Sequence, residues 1–443
     1  MRNIIKKAVS KVLYDFGDKD TEEKVRYRFS RKYRERLDSR LQAFDMNLKL
    51  IESKPKQEPI VIVFVCQVPA LWNTVESIYE EAVKDERVKP YIVAIPEKIM
   101  ADNYDISGEN YGKNEAYQFC KNLYGDSVIN GFDDENHTFF DLRSLNPTYV
   151  CLPRPYDMHV PPEYRSTEIS KYAKLFFLPY GYNLCKWDVK LVFNTEFLCS
   201  VYAIFGENPY NAEMVENIFS FLNANQIKRI KNLGYPAFDR YKDLKHAFDP
   251  NFKATVLWTP RWTTNKEVEA TTFFKYKDSL IKYFINHPEY KLIFRPHPLM
   301  LRNFVSCHLM TENEEAEVLS YFEKYPNLVF DADGDYTKSM KSATIIISDY
   351  SSLLMHSLLM GVPVIYTGKT SNFNRYIKKT EEGMYLVSNE NRLFDTLEML
   401  LQGNDILADK REKVKKLLTD EEYRAGKLIL DFLIKDYQKL YNH

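Results

Sequence analysis

The segment Thr344–Tyr366, TIIISDYSSLLMHSLLMGVPVIY, carries the densest set of residues able to do chemistry. Ile345–Ile347 reads as a buried strand that stops at Ser348-Asp349. A helix is expected to begin within one or two residues, with Tyr350, Ser351 and Ser352 in its first turn and Gly361 and Pro363 closing it. The first backbone N–H groups of such a helix lack intrahelical partners, and its dipole favours an anion there. Two serine hydroxyls add donors, so a diphosphate can be held without a glycine-rich loop. Helix capping explains Asp349 or one serine, but not Ser351 and Ser352 together at the start of an apolar helix. A second set lies in Lys291–Pro298, KLIFRPHP, where a strand delivers Arg295 and His297 to its carboxyl end. Each precedes a proline, which keeps the backbone extended. Arginine forks two phosphate oxygens, and histidine neutralises phosphate charge or moves a proton near neutral pH. The plain alternative is a satisfied loop histidine; a place at a strand end beside a cation favours function.

Two further segments follow the ends of expected strands. Leu257–Thr264, LWTPRWTT, supplies Thr259, Arg261, Trp262 and Thr263, and Asn232–Asp239, NLGYPAFD, supplies Gly234. Taken singly, each reads as a structural turn. Glycine is scarce, 14 in 443 residues, where ~7% is typical. Neither G-x-G-x-x-G nor G-x-x-x-x-G-K-[ST] occurs, so phosphate binding needs another cradle. The 61 Lys and Arg nearly balance 62 Asp and Glu, which removes any global charge for nucleic acid. The six cysteines show no C-x-x-C and no metal spacing, so buried free thiols are expected. No metal ligands are read from the sequence and no cofactor is firmly implied; Mg2+ is the one held open.

These residues need elements to position them. A length of 443 residues suggests two or three domains at roughly 150 residues each. After the polar linker Lys54–Pro59, the run Ile60–Cys66 reads as a buried parallel strand. Further strands are expected at Tyr91–Ile95, Thr148–Leu152, Leu175–Leu178 and Val189–Phe193, with helices at Leu71–Lys84, Asn114–Leu123, Thr195–Phe205 and Ala212–Asn223. A second alternation has strands at Ala254–Trp258, Lys291–Phe294, Asn327–Phe330, Thr344–Ile347 and Pro363–Tyr366. Its helices are Thr271–Asn286, Glu312–Lys324, Thr337–Ser342 and Tyr350–Met360, and Asn391–His443 reads as two or three amphipathic helices. The expected class is α/β with two Rossmann-like lobes. The domains are a basic helical extension at 1–56, a first α/β lobe at 57–248, a second at 249–400 and C-terminal helices at 401–443. In such sheets ligands gather at the carboxyl ends of the strands.

At the N-terminus, Ile4, Ile5, Ala8, Val9, Val12, Leu13 and Phe16 recur at helical spacing with Lys6, Lys7 and Lys11 off the stripe. A second helical segment, Thr21 to about Leu50, is rich in arginine. Residues 1–50 hold 14 Lys and Arg against 8 Asp and Glu, a local net of +6 (14 − 8). Two readings stand: helices packed on the main body with basic faces in water, or a surface that lies on anionic lipid. No signal peptide and no membrane span is read, so a cytoplasmic location is expected.

In order, NLGYPAFD, LWTPRWTT, FRPHP and SDYSSLLMHSLLMGVPVIY resemble the CDP-glycerol glycerophosphotransferase family, the polymerases and primases of teichoic acids and related capsule enzymes. The resemblance covers roughly Gly181 to Tyr366. It implies a GT-B fold whose second lobe binds a CDP-linked polyol and whose first lobe takes a polysaccharide or lipid-linked acceptor. It also implies peripheral attachment to the inner face of the membrane, which moves the N-terminal helices towards an anionic lipid partner. Carried over, His297 contacts the donor phosphates, Ser351 and Ser352 lie at the diphosphate, and Asp349 shapes that loop. Thr259, Arg261, Gly234, Arg295 and His356 complete the donor-binding set. The family's W-H-G-T-like motif has its nearest match in LPYGYNLCK, Leu178–Lys186, where Tyr180 stands in the place of the histidine. His356 stands where an acidic residue is expected.

The implied reaction is attack of an acceptor hydroxyl on the phosphorus bearing the polyol, with CMP leaving. His297 and Tyr180 form the catalytic pair. The base is left open among Tyr180, His159 and Asp188, since a tyrosine with pKa ~10 is a poor base at pH 7. Two alternatives stand beside this reading. One is a GT-B glycosyltransferase using a nucleotide-sugar donor for surface glycan, and the other is an inert membrane-associated scaffold.

Overall fold

The computed structural model describes residues 18–99, 110–185, 189–190, 192–224, 229–243, 245–263, 271–297, 300–333, 335–419 and 422–441. The apolar stripe Ile4–Phe16 and the base candidate Asp188 lie outside them. The chain forms two compact units, Met1–Asp239 with Arg424–His443, and Arg240–Tyr423.

The first unit is built on strands β1 (Ile60–Cys66), β2 (Val88–Ala94), β3 (Val128–Asn130), a hairpin β4 (Phe132–Asp133) and β5 (Thr138–Phe139), then β6 (Tyr149–Cys151), β7 (Lys174–Phe177), β8 (Ala203–Phe205) and β9 (Ile230–Lys231). Seven of them form one sheet in the order β3-β2-β1-β6-β7-β8-β9, with all pairings parallel. All residues of β1 are buried, as a strand covered on both faces requires. In register, Phe64 lies between Ile92 and Cys151.

The helix Ala425–Lys439 returns to this sheet, setting Ile429, Leu430, Leu433 and Ile434 into the core that holds Phe64 and Phe176. The Asp239 carboxylate fixes its start, accepting the Ala425 and Gly426 N–H groups at 2.9 and 2.7 Å and the Ser77 hydroxyl at 2.8 Å. Tyr149 adds a bond from its hydroxyl to the Leu433 carbonyl at 3.0 Å.

Three expectations fail in this unit. Val189–Phe193 is not a strand: residues 189, 190 and 192 are helical. The strand falls instead on Ala203–Phe205, inside the expected helix Thr195–Phe205. Asn194 starts only the short turn Thr195–Leu198, its side chain accepting the Glu196 and Phe197 N–H groups. Short apolar runs buried on all sides carry no period that separates strand from helix. The expected helix over Thr21–Leu50 is broken at Ser30, which caps the second of two helices, Lys19–Phe29 and Arg31–Glu52. Tyr33, Leu37, Leu41, Phe44 and Leu48 line the buried face of the longer one.

The second unit holds β10 (Ala254–Thr259), β11 (Tyr290–Phe294), β12 (Leu328–Phe330), β13 (Ile345–Ser348), β14 (Val364–Tyr366) and β15 (Tyr385–Leu386). They form a parallel sheet in the order β12-β11-β10-β13-β14-β15. Trp258 sits between Phe294 and Ile347 in register and stacks on Phe273 at 5.5 Å. Cys66, Cys120, Cys151, Cys185 and Cys199 are buried free thiols and Cys307 is exposed. Among the described residues no helix is long and apolar enough to cross a membrane.

Asp239→Ala removes the acceptor for three donors at the start of the C-terminal helix. Loss of such a cap is expected to lower the stability of the first unit by about 1–3 kcal/mol, read as an earlier denaturation midpoint.

Candidate active site

In the second unit, one carboxylate at the carboxyl end of β13 holds the segments that follow β10. Asp349, 1% exposed, follows β13 directly. Its Oδ1 accepts the Arg261 backbone N–H at 2.7 Å, and its Oδ2 accepts the Thr272 N–H at 2.8 Å and the hydroxyls of Thr271 and Thr272 at 3.1 and 3.2 Å. A buried carboxylate without donors is costly, so the segments after β10 are drawn to the end of β13. Burial raises the Asp349 pKa, and the backbone donors of Thr272 and Arg261, then the two hydroxyls, pull it back. Thr272 Oγ1 also meets Thr367 Oγ1, just beyond β14, at 2.7 Å.

This anchor sets the cationic residue. With its backbone bonded to Asp349, Arg261 lies with its guanidinium 4.3 Å from the Tyr350 ring centroid. It also reaches His297 electrostatically. Surrounding protein atoms and, second, the Arg261 charge lower the His297 pKa towards about 4. The outer surface of His297 is exposed, and water on that side screens the shift. The imidazole is therefore neutral at pH 7, and a nearby negative charge would raise its pKa. The Trp262 ring lies 5.9 Å from the imidazole.

The serines sit differently from expectation. The helix starts at Leu353 and runs to Leu359, so Tyr350, Ser351 and Ser352 precede it. Ser351 Oγ accepts the Leu353 N–H at 3.2 Å, and its carbonyl accepts the Leu354 N–H. Ser351 thus accepts the first helical N–H from the turn before the helix, while Ser352, at the N-cap position, is exposed and makes no side-chain cap.

Other expected donor-site residues have structural duties. Thr259, buried, donates from its hydroxyl to Ser348 Oγ at 3.0 Å and joins β10 to β13. Arg295 donates to Asp331 Oδ2 at 2.7 Å and to the Asp333 carbonyl at 2.5 Å, bracing the loop after β12. Gly234 lies in the first unit at φ 91°, where a Cβ would come within 2.9 Å of the Ala425 Cβ. Buried His356 places Nδ1 2.8 Å from the Tyr241 hydroxyl and 3.4 Å from that of Tyr336. Burial, then the Arg240 charge, lower its pKa to about 3.

In the first unit, Tyr180 follows β7, and its hydroxyl lies 3.2 Å from that of Tyr156. His159 is close, its ring 5.3 Å from Tyr156, with its pKa lowered to about 4 by burial and by Arg154 and Lys98. Beneath the loop, buried Glu207 accepts the Asn183 N–H at 3.1 Å, the Asn183 amide, and the Asn211 amide at 2.6 Å. Burial raises the Glu207 pKa to about 7. The motif reading missed Thr271, Thr272, Thr367 and Glu207, although Thr367 and Glu207 follow strand ends. Among the described residues, no group of three or more His, Cys, Asp or Glu side chains is placed to hold a metal ion.

The model of the CDP-glycerol:poly(glycerophosphate) glycerophosphotransferase family matches residues 199–437. No curated protein sequence matches the chain. Among solved structures, a UDP-N-acetylglucosamine 2-epimerase is 9% identical with TM-score 0.56, over 87% of this chain and 97% of its own. The UDP-GlcNAc 2-epimerase from Neisseria meningitidis bound to UDP-GlcNAc is 13% identical with TM-score 0.51, over 85% and 100%. The wall teichoic acid polymerase TagF is 15% identical with TM-score 0.48, over 96% and 99%. The likeness to the two epimerases shows the fold alone, the GT-B type of two Rossmann-like units.

Asp349→Asn turns one acceptor oxygen into an NH2 group facing donors. It is expected to cost about 3 kcal/mol of stability, measured by thermal unfolding. For His356 the folded pKa lies below the unfolded 6.5. Its stabilising contribution is therefore complete above pH 6.5 and lost as pH falls towards 3, by about 2 kcal/mol at pH 5. Wild type should lose stability across that window more steeply than His356→Gln.

Proposed function

The chain belongs to the CDP-glycerol:poly(glycerophosphate) glycerophosphotransferase family, and from that premise we propose that it moves glycerol phosphate from a CDP-activated donor to a hydroxyl of a poly(glycerophosphate)-type acceptor. The acceptor is carried on a cell-surface polysaccharide or a lipid. The observation that carries this reading is the Asp349 anchor. It holds Arg261 at the end of β10, where the Arg261 charge acts on His297 at the end of β11, all within the matched segment.

In this reading the donor diphosphate lies against Arg261, His297 and the Ser351-Ser352 turn. The acceptor oxygen attacks the phosphorus bearing glycerol, and the bond from that phosphorus to the CMP oxygen breaks. Charge moves onto the CMP phosphate, where Arg261 and a His297 that has taken up a proton stabilise it. Arg295 and Thr259 act as positioning residues. Tyr180 orients the acceptor hydroxyl through the pair it forms with Tyr156, and the His159 ring packs 5.3 Å from Tyr156.

The protein attaches to the inner membrane face through Lys19–Phe29 and Arg31–Glu52. Phe29, Met46 and Leu50 of these helices are 66%, 68% and 65% exposed, with arginines alongside. One observation favours a second reading, a nucleotide-sugar glycosyltransferase: a tyrosine stands where the resemblance expects a basic histidine. Thermal stabilisation by UDP- or GDP-sugars and none by CDP-glycerol would support it.

His297→Ala is expected to reduce CMP release from CDP-glycerol by about a hundredfold or more while the protein stays folded. Near-normal turnover in this variant contradicts the assignment.

A further inference from the structure

A second polar cluster lies at the carboxyl ends of four neighbouring strands of the first unit, β2, β1, β6 and β7. Gln67 follows β1, Glu97 and Lys98 follow β2, Arg154 follows β6 and Tyr180 follows β7. Open parallel sheets collect ligands at this edge, yet the transfer chemistry above uses only Tyr180 and its neighbours.

Arg154 is the centre. Its Nη2 donates to Gln67 Oε1 at 2.9 Å and pairs with Glu97 Oε1 at 3.1 Å. Gln67 is held in that orientation because its amide nitrogen donates to the carbonyls of His159 and Pro96, at 2.7 and 3.2 Å. Arg154 Nε is buried and has no acceptor among the described residues. Lys98 is buried as well, with Nζ 3.3 Å from the Met158 carbonyl.

Arg154 and its counter-charge are unevenly placed. The Arg154 side chain is 14% exposed, and its partner Glu97 is 53% exposed. Solvent screens that pair, so it compensates little of the cost of burying a guanidinium. Arg154 and Lys98 both act on His159, where they add to burial in lowering its pKa. A planar guanidinium braced at one edge, with a lysine beside it, matches a phosphodiester oxygen pair.

We propose that Arg154 and Lys98 form a phosphate-recognition subsite that binds the terminal phosphodiester of the acceptor chain, next to the hydroxyl presented to Tyr180. The assignment of that phosphate to an acceptor rests on the transfer reading; the binding itself does not. The subsite makes the acceptor anionic and selects against a neutral glycan end.

The test is calorimetric titration of the full chain, without donor, using a synthetic glycerol phosphate oligomer, a neutral glycerol oligomer, inorganic phosphate and CDP-glycerol. Wild type should bind the phosphate oligomer, more weakly as salt rises from about 50 to about 200 mM, and should not bind the neutral one. Arg154→Gln and Lys98→Gln should each weaken that binding by about tenfold, Arg154→Lys should recover part of it, and CDP-glycerol affinity should stay unchanged. In turnover assays the acceptor KM should rise with little change in kcat. Equal binding of neutral and phosphate oligomers overturns the proposal, as does unchanged oligomer binding in both Gln variants. So does inorganic phosphate binding as tightly as the oligomer, or an equal loss for CDP-glycerol. If Arg154→Gln does not fold, the Lys98→Gln and salt arms decide. Oligomer binding without CMP release in wild type would defeat the transfer reading alone; CMP release without oligomer binding would defeat the subsite alone.

Discussion

A carboxylate buried at the end of a parallel strand must be satisfied by whatever backbone and hydroxyl donors the chain can bring to it. Asp349 meets that requirement with four hydrogen bonds from Arg261, Thr271 and Thr272, and most of the proposed donor site depends on it. The bonds fix where the chain leaves β10 and where it enters the helix Phe273–Asn286. They place Arg261 over Tyr350, and burial, with the Arg261 charge second, keeps His297 neutral. The scarcity of glycine follows naturally: a side-chain anchor shapes this loop where other nucleotide folds use glycine conformations.

The first unit uses the same logic at the ends of its own strands. Glu207 after β8 accepts from Asn183 in the loop after β7, as Asp349 after β13 accepts from the segment after β10. In both sheets an acid at one strand end holds the loop of a neighbouring strand, and a hydrogen-bonding or basic group sits on that loop. The difference is electrostatic. Glu207, with its pKa raised to about 7, has amide partners only, while Asp349 has a cationic residue on the segment it holds.

Much of this was legible in the chain. Continuous apolar β-branched runs placed β1, β10 and β13 within a residue or two, and strand-end position singled out His297, Arg261 and Asp349. What local pattern misplaced was decided by side-chain bonds between distant segments. The helix after β13 begins at Leu353, whose N–H bonds Ser351 Oγ in the turn before it, and the one after β10 begins at Phe273 because Thr271 and Thr272 turn to Asp349. Arg295 looked like a phosphate ligand; Asp331, far along the chain, claims its guanidinium. Val189–Phe193 was misread because a short apolar run buried on all sides carries no period that separates strand from helix. Gly234 is better explained by its contact with Ala425 than by a ligand.

The central claim is that the transferred group is glycerol phosphate, leaving CMP behind. It is tested most directly by the mass of the product formed when wild-type protein is given CDP-glycerol and a glycerol phosphate acceptor, with nucleotide followed in the same sample. The account predicts product growth in increments of one glycerol phosphate, with one CMP released per increment. Growth only from a nucleotide-sugar donor, in increments of one sugar, would contradict it.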